Sequence, residues 1–326
     1  MRSHLPESPS VLSHWNTDPN SPHSYFQKQM PTRREWIISI LLFGVTLLTT
    51  SFAGLFYVAV DFGVITAWWA VLSKPSLLVQ GFYFSFPLIA ILLAHEMGHF
   101  FACRYYGVRC TPPFFIPVPV SIVGTFGAFI KIKSPFHHKR ALFDIGIAGP
   151  LAGFLVTLPV LWVGLGLSEL HPKGTFGAGE LYFGEPFIFR YIAGLVLGYS
   201  PTQQDIFAHP IAMAGWFGLL VTSLNLLPIW QLDGGHITYA LFGRLRQRRI
   251  SIIALLALVL TSFVGWPTPS YLFFALVLLI IGARFHFYHP PTLRDEEELD
   301  SARIYMGFLA MIIFILCFTP VPISLA

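Results

Sequence analysis

Seven apolar stretches, of which the fifth and sixth are short and could form a tight helical hairpin, constrain this chain more than any other feature. They cover residues 36–60, 77–105, 141–167, 210–228 (running on toward 242), 250–264, 271–281 and 304–318. A spanning helix needs about 20 mostly apolar residues. Of the 326 residues, 55% are hydrophobic and only 11% charged, whereas a soluble domain carries about 25% charged residues. Mean hydropathy is +0.66. The expected fold is an all-α polytopic membrane protein with about seven transmembrane helices.

Charge placement predicts orientation. Basic residues gather on the cytoplasmic side of spans. Here Lys28, Arg33 and Arg34 precede the first stretch, and Arg104, Arg109, Lys131, Lys133, Lys139 and Arg140 separate the second from the third. Arg244, Arg246, Arg248 and Arg249 follow the fourth, and Arg284, Arg294 and Arg303 surround "DEEELD". The opposite loops carry little beyond Asp61, Lys74 and a weakly acidic mixture between Glu169 and Asp205. Seven crossings with the N-terminus inside satisfy all of these. Residues 1–35 read as a flexible cytoplasmic tail, rich in Ser, Pro, His and Asn. The net charge of +4 forms no basic run interleaved with aromatics, so nucleic acid is not expected as a partner. Cys103, Cys110 and Cys317 are too few and scattered for a disulfide framework.

Two connecting regions stand out. Residues 111–135 are apolar, broken by prolines, and end in the alternation "GAFIKIK". Period two is a strand signal, and Gly124 and Gly127 suit a turn or bulge. A small β-hairpin dipping into the membrane between the second and third helices is therefore expected, packed on protein because unpaired backbone cannot face lipid. Residues 168–209 hold "FIFRYIAGLVLG", which reads as an interfacial helix on the outer side.

The chemistry lies in "HEMGH". His95 and His99, four apart on a helix, share one face a turn apart, which lets both imidazoles reach one zinc ion. Glu96 sits beside the first, placed to hold a water. An ionisable group at membrane depth costs about 2.5 kcal/mol or more. Three within five residues need a compensating reason, either a metal or a watered, protein-lined interior. Zinc requires a third ligand. Tyr105 stands where the extended form of the motif would have a histidine, and Cys103 would require one straight helix to wrap the ion. Asp233, in "TSLNLLPIWQLDGGH", is the better candidate. At about 1.5 Å per residue, His99 lies about 8 Å before Arg104, and Asp233 about 16 Å before Arg244, so their depths overlap. Pro228 should break the helix, Gly234 and Gly235 permit close approach, and Asn225 can offer an amide to a substrate carbonyl. Asp233 also suits the cap of a new helix, and His236 has no assignment. "IAGPLAGF" reads as small-xxx-small packing, and Arg140 with Asp144 as an interfacial pair.

With "AGPLAG" between them, "HEMGH" and "NLLPIWQLDGGH" resemble the site-2 protease family of intramembrane zinc metalloproteases. "GTFGAFIKIKSP" followed by "LFDIGIAGPLAGF" is similar to the bacterial and plastid branch without a PDZ domain. The resemblance implies one zinc per chain on His95, His99 and Asp233, with Glu96 as catalytic carboxylate. It implies that Asn225 holds substrate or stabilises the oxyanion, and that the strand pair holds an unwound substrate at its edge. Residues 36–326 would form a single intramembrane metalloprotease domain with its catalytic core at about 84–242. Its substrates would be transmembrane proteins, cut within or near their spans. A bacterial inner membrane is the expected setting, with the active site toward the cytoplasm. The competing classes are a metal-ion transporter using the same ligands as a transit site, and an inactive scaffold that binds membrane helices. The sequence carries no signal for oligomeric state.

Overall fold

The computed structural model describes residues 30–57, 71, 73–175, 181–284, 287 and 289–325. Most of the expected tail, residues 1–29, therefore lies outside the described residues. The first helix, α1 (Arg33–Gly54), opens on a capping box: Thr32 Oγ accepts from the Glu35 N–H, and the Glu35 carboxylate accepts from the Thr32 N–H. It is followed by α2 (Leu78–Tyr105), the strands β1 (Phe114–Pro117) and β2 (Thr125–Phe129), and α3 (Lys139–Gly166). Among the described residues, three helical stretches, Arg33–Tyr57, Pro75–Tyr105 and Lys139–Gly166, are long and apolar enough to cross a membrane.

The remaining helices are shorter or broken. α4 (Phe187–Leu197) is the helix expected in the outer region. α5 (Pro210–Leu226) stops ahead of Pro228, as that ring predicts. α6 (Asp233–Thr261) is two helices in one: Gly243 at φ +75° interrupts it, so the single long fourth stretch resolves into α5, a turn and residues 233–242. α7 (Leu272–Arg284) and α8 (Ser301–Cys317) complete the helices described.

Exposure runs opposite to that of a soluble fold. Ile40, Phe101, Leu155, Leu260 and Phe273 are each more than 60% exposed, while Thr46, Thr50, Ser51 and Ser85 are fully buried. Apolar side chains facing outward around a small-polar interior suit hydrocarbon as the solvent. This is an integral membrane protein. Its core is the mutual packing of α2, α3 and α5, filled by Phe84, Leu88, Leu161, Trp216 and Leu219. The hydroxyls of α1 reach neighbouring elements: Ser39 donates to the Pro113 carbonyl at 2.6 Å and Thr49 to the Gly124 carbonyl at 2.7 Å. They pin α1 over β1.

β1 and β2 pair antiparallel, Phe114 opposite Phe129 and Phe115 opposite Ala128, with an irregularity before Pro117 opposite Thr125. Gly124 and Gly127 both adopt positive φ, as a turn and a bulge require. Four further short strands among the described residues were not foreseen: β3 (Glu169–Pro172) pairs with β5 (Gln204–Phe207), and β4 (Leu181–Phe183) with β6 (Ile323–Leu325). The expected Arg140 partner for Asp144 is replaced: Asp144 binds Arg303 of α8 at 2.6 and 2.9 Å.

Candidate metal centre

Two imidazoles, one turn apart on α2, start the site. His95 and His99 are 3% and 7% exposed, with ring centroids 4.9 Å apart. Both rings lie against the glycine row of α3. A methyl built on Gly153 would sit 3.1 Å from His95 Cβ and 3.3 Å from its Nδ1, and one built on Gly149 would fall on the His99 ring. Those glycines were expected to pack helix on helix, and what they pack against is the imidazole pair. Gly146, the next along the row, would carry a methyl 2.9 Å from His236 Cβ.

The third donor comes from a different element. α5 ends at Leu226, the chain turns through residues 227–232, and α6 begins at Asp233. The cap position of α6 is Leu232, which offers no side-chain hydrogen bond, so Asp233 is free of the capping duty considered for it. Its two carboxylate oxygens point at the imidazoles instead, 3.2 Å from His95 Nε2 and 3.3 Å from His99 Nε2. Gly234 and Gly235 permit this path: methyl groups there would strike the Leu226 and Trp230 carbonyls. The two Nε2 atoms are 3.2 Å apart.

The imidazole pair, and each imidazole with the carboxylate oxygen nearest it, are thus spaced as donors around one metal ion are. Zinc binds nitrogen and oxygen donors at about 2.0–2.1 Å, and tetrahedral corners at that radius stand about 3.3 Å apart. The orientation of His99 agrees. Its Nδ1–H donates to the Ile145 carbonyl at 2.6 Å, which leaves the Nε2 lone pair facing the centre. His95 Nδ1 is buried without a hydrogen-bond partner among the described residues, so packing against Gly153 holds that ring. The residues present therefore fit a zinc ion. Among the described residues, this is the one group of three His, Cys, Asp or Glu side chains whose donor atoms gather within 4.8 Å. Cys103 is buried in a separate cluster with Cys110 and Ile145.

Two more expected residues border the group. Asn225, in the last turn of α5, places Nδ2 3.3 Å from His95 Nε2. Glu96 is 7% exposed, with the backbone N–H of Ile130, one residue past β2, directed at its carboxyl. All five residues singled out in the sequence thus meet in one place. The seating of the imidazoles on the glycine row, the Ile145 carbonyl and a His236–His289 contact were not foreseen. Only the glycines carried a signal, in "IAGPLAG".

Comparison with known proteins follows the same residues. A family model described as Peptidase family M50 matches residues 83–264. The rice (Oryza sativa subsp. japonica) protein named "Probable zinc metalloprotease EGY1, chloroplastic" is 38% identical over 164 residues, which is 49% of this chain and 28% of that protein. Its Arabidopsis thaliana namesake is 30% identical over 240 residues, covering 73% of this chain and 42% of its own length. The japonica rice protein named "Probable zinc metalloprotease EGY2, chloroplastic" is 31% identical over 216 residues, 61% of this chain and 39% of that protein. The chain thus spans well under half the length of these relatives. No solved structure matches it.

Proposed function

The chain belongs to peptidase family M50, and from that premise we propose that it is a zinc-dependent endopeptidase cleaving peptide bonds in or near the transmembrane segments of other membrane proteins. The observation that carries this reading is the triangle of donors on His95, His99 and Asp233 with Glu96 beside it. The relatives' names, which are those of zinc metalloproteases, support it. We assign metal binding to His95, His99 and Asp233, one ion per chain, and catalysis to Glu96 and Asn225.

Bound there, zinc would supply Lewis acidity, easing deprotonation of water and polarising a peptide carbonyl. The rest is the work of side chains. Glu96 accepts a proton on its carboxylate from the attacking water and returns it to the leaving amine. Asn225 Nδ2 donates to the carbonyl oxygen as negative charge develops there. A helical substrate hides its carbonyls in its own hydrogen bonds, so it must be unwound first. Strand pairing replaces those bonds while holding the chain extended. With α1 packed over β1, we assign this role to the edge of β2, which leads to Ile130 and Glu96.

In this reading residues 36–326 are one intramembrane domain crossing seven times, with its core at about 84–242 and the hairpin dipping into the bilayer. The N-terminus and site lie on the positively charged, cytoplasmic side. The relatives' names place them in the chloroplast, and the bacterial inner membrane remains a proposal resting on the sequence alone. Transport would need ligands continued along a path, and no second donor group of three occurs among the described residues.

The test is Glu96→Gln in the full chain. It should keep one zinc per chain while cleavage falls by about 10²- to 10⁴-fold, the range of general acid–base catalysis. Membrane proteins that accumulate uncut in cells carrying the variant would then identify substrates. Undiminished cleavage would reject the assignment.

A further inference from the structure

The row of imidazoles along α3 does not end at the metal centre. His95 packs at Gly153, His99 at Gly149 and His236 at Gly146. Along a helix these positions are about 6 and 4.5 Å apart, so His236 stands one turn from His99, toward the basic end of α3. An unusual amount of structure orients it. His236 Nδ1 lies 2.6 Å from His289 Nε2, and His289 Nδ1 lies 2.6 Å from the Pro290 carbonyl. A carbonyl can only accept, so His289 carries its proton on Nδ1. A neutral His289 then accepts at Nε2, His236 donates from Nδ1, and the His236 Nε2 lone pair is left bare.

His289 is itself fixed. It is 1% exposed, with the Tyr239 ring 4.5 Å from its own. The loop that bears it is tied down by Leu293 N–H to the Phe136 carbonyl and Arg294 N–H to the His137 carbonyl. His236, by contrast, keeps a minor part of its surface exposed, and no described residue hydrogen-bonds its Nε2. Phe136, six residues past Ile130 on the segment leaving β2, sets its ring 5.7 Å from that of His236. The segment leaving β2 thus runs from Ile130, beside Glu96, to Phe136, beside this imidazole.

We infer that His236 is a substrate-binding residue whose Nε2 accepts a backbone N–H of the extended substrate beside the metal centre, held in the acceptor tautomer by His289 and the Pro290 carbonyl. This rests on the metallopeptidase reading above. A series of apolar peptide hydroxamates, each N-methylated at one backbone amide, tests it on the full-length zinc-loaded protein. At one position, methylation should weaken inhibition of the native chain by about 3- to 10-fold, the worth of one hydrogen bond. His236→Phe should abolish that penalty and keep those owed to pairing with β2, with zinc still at one per chain. His289→Leu should abolish it as well, while His289→Gln, able to accept from His236 and donate to Pro290, should retain it. Should His236→Phe not fold, the His289 pair decides alone. A methylation profile unchanged by these substitutions overturns the inference and leaves the metallopeptidase reading standing. Failure of every hydroxamate to inhibit the native chain overturns both.

Discussion

An alanine methyl at position 149 would occupy the space of the His99 ring, and this sets a prediction for a residue with no side chain of its own. Gly149→Ala should weaken zinc affinity by about 10- to 100-fold, the usual cost of disturbing the groups that orient a ligand. Gly44→Ala on α1, where a methyl meets nothing within 4 Å, should leave affinity unchanged. Metal titration of the two purified variants checks this. Other residues were more legible. His95, Glu96 and His99 follow from a four-residue spacing that any straight helix converts into one face. Asp233 was legible because an ionisable side chain in so apolar a segment needs a partner. The tautomer of His99 was not, since it depends on a carbonyl 46 positions away.

At the scale of elements, the helices were legible where solvent dictates them and the strands β3 to β6 were not. Pro228 and Gly243 end helices by local geometry, and α4 announced itself as an apolar run of helical length. β4 pairs with β6, the last strand described, so neither segment holds the information about its partner. The β3–β5 pair nonetheless makes a prediction. Burial acts to raise the Asp205 carboxyl of β5, but the Lys173 ammonium at 2.6 Å and the Gly174 N–H at 2.8 Å outweigh it and hold it below its ordinary value. A carboxyl so lowered stabilises the fold above its unfolded value near pH 3.9, and the contribution vanishes as pH falls through the folded value. Hydrogen exchange at residues 169–172 and 204–207 should therefore be steady from about pH 5 to 8 and quicken below about pH 4, after correction for intrinsic rates. Asp205→Asn should remove the acid dependence and quicken exchange at neutral pH.

For the whole molecule, distant segments close around the centre in ways that sequence neighbours mislead. Arg140 lies one turn from Asp144, yet Arg303 takes that carboxylate and also donates to Tyr106 Oη, tying α8 to the ends of α2 and α3. Residue 303 is 159 positions from residue 144, a separation at which no periodicity speaks. The centre is assembled the same way, from α2 and from the start of α6, with α3 as its floor. Its claim on a metal is the central one here, and zinc-edge X-ray absorption of the purified full chain tests it directly. One zinc per chain is predicted, with two imidazole nitrogens and a carboxylate oxygen at about 2.0–2.1 Å, and Asp233→Ala should strip the oxygen or the ion itself. A zinc-free native protein, or a shell unaltered by Asp233→Ala, would contradict the account.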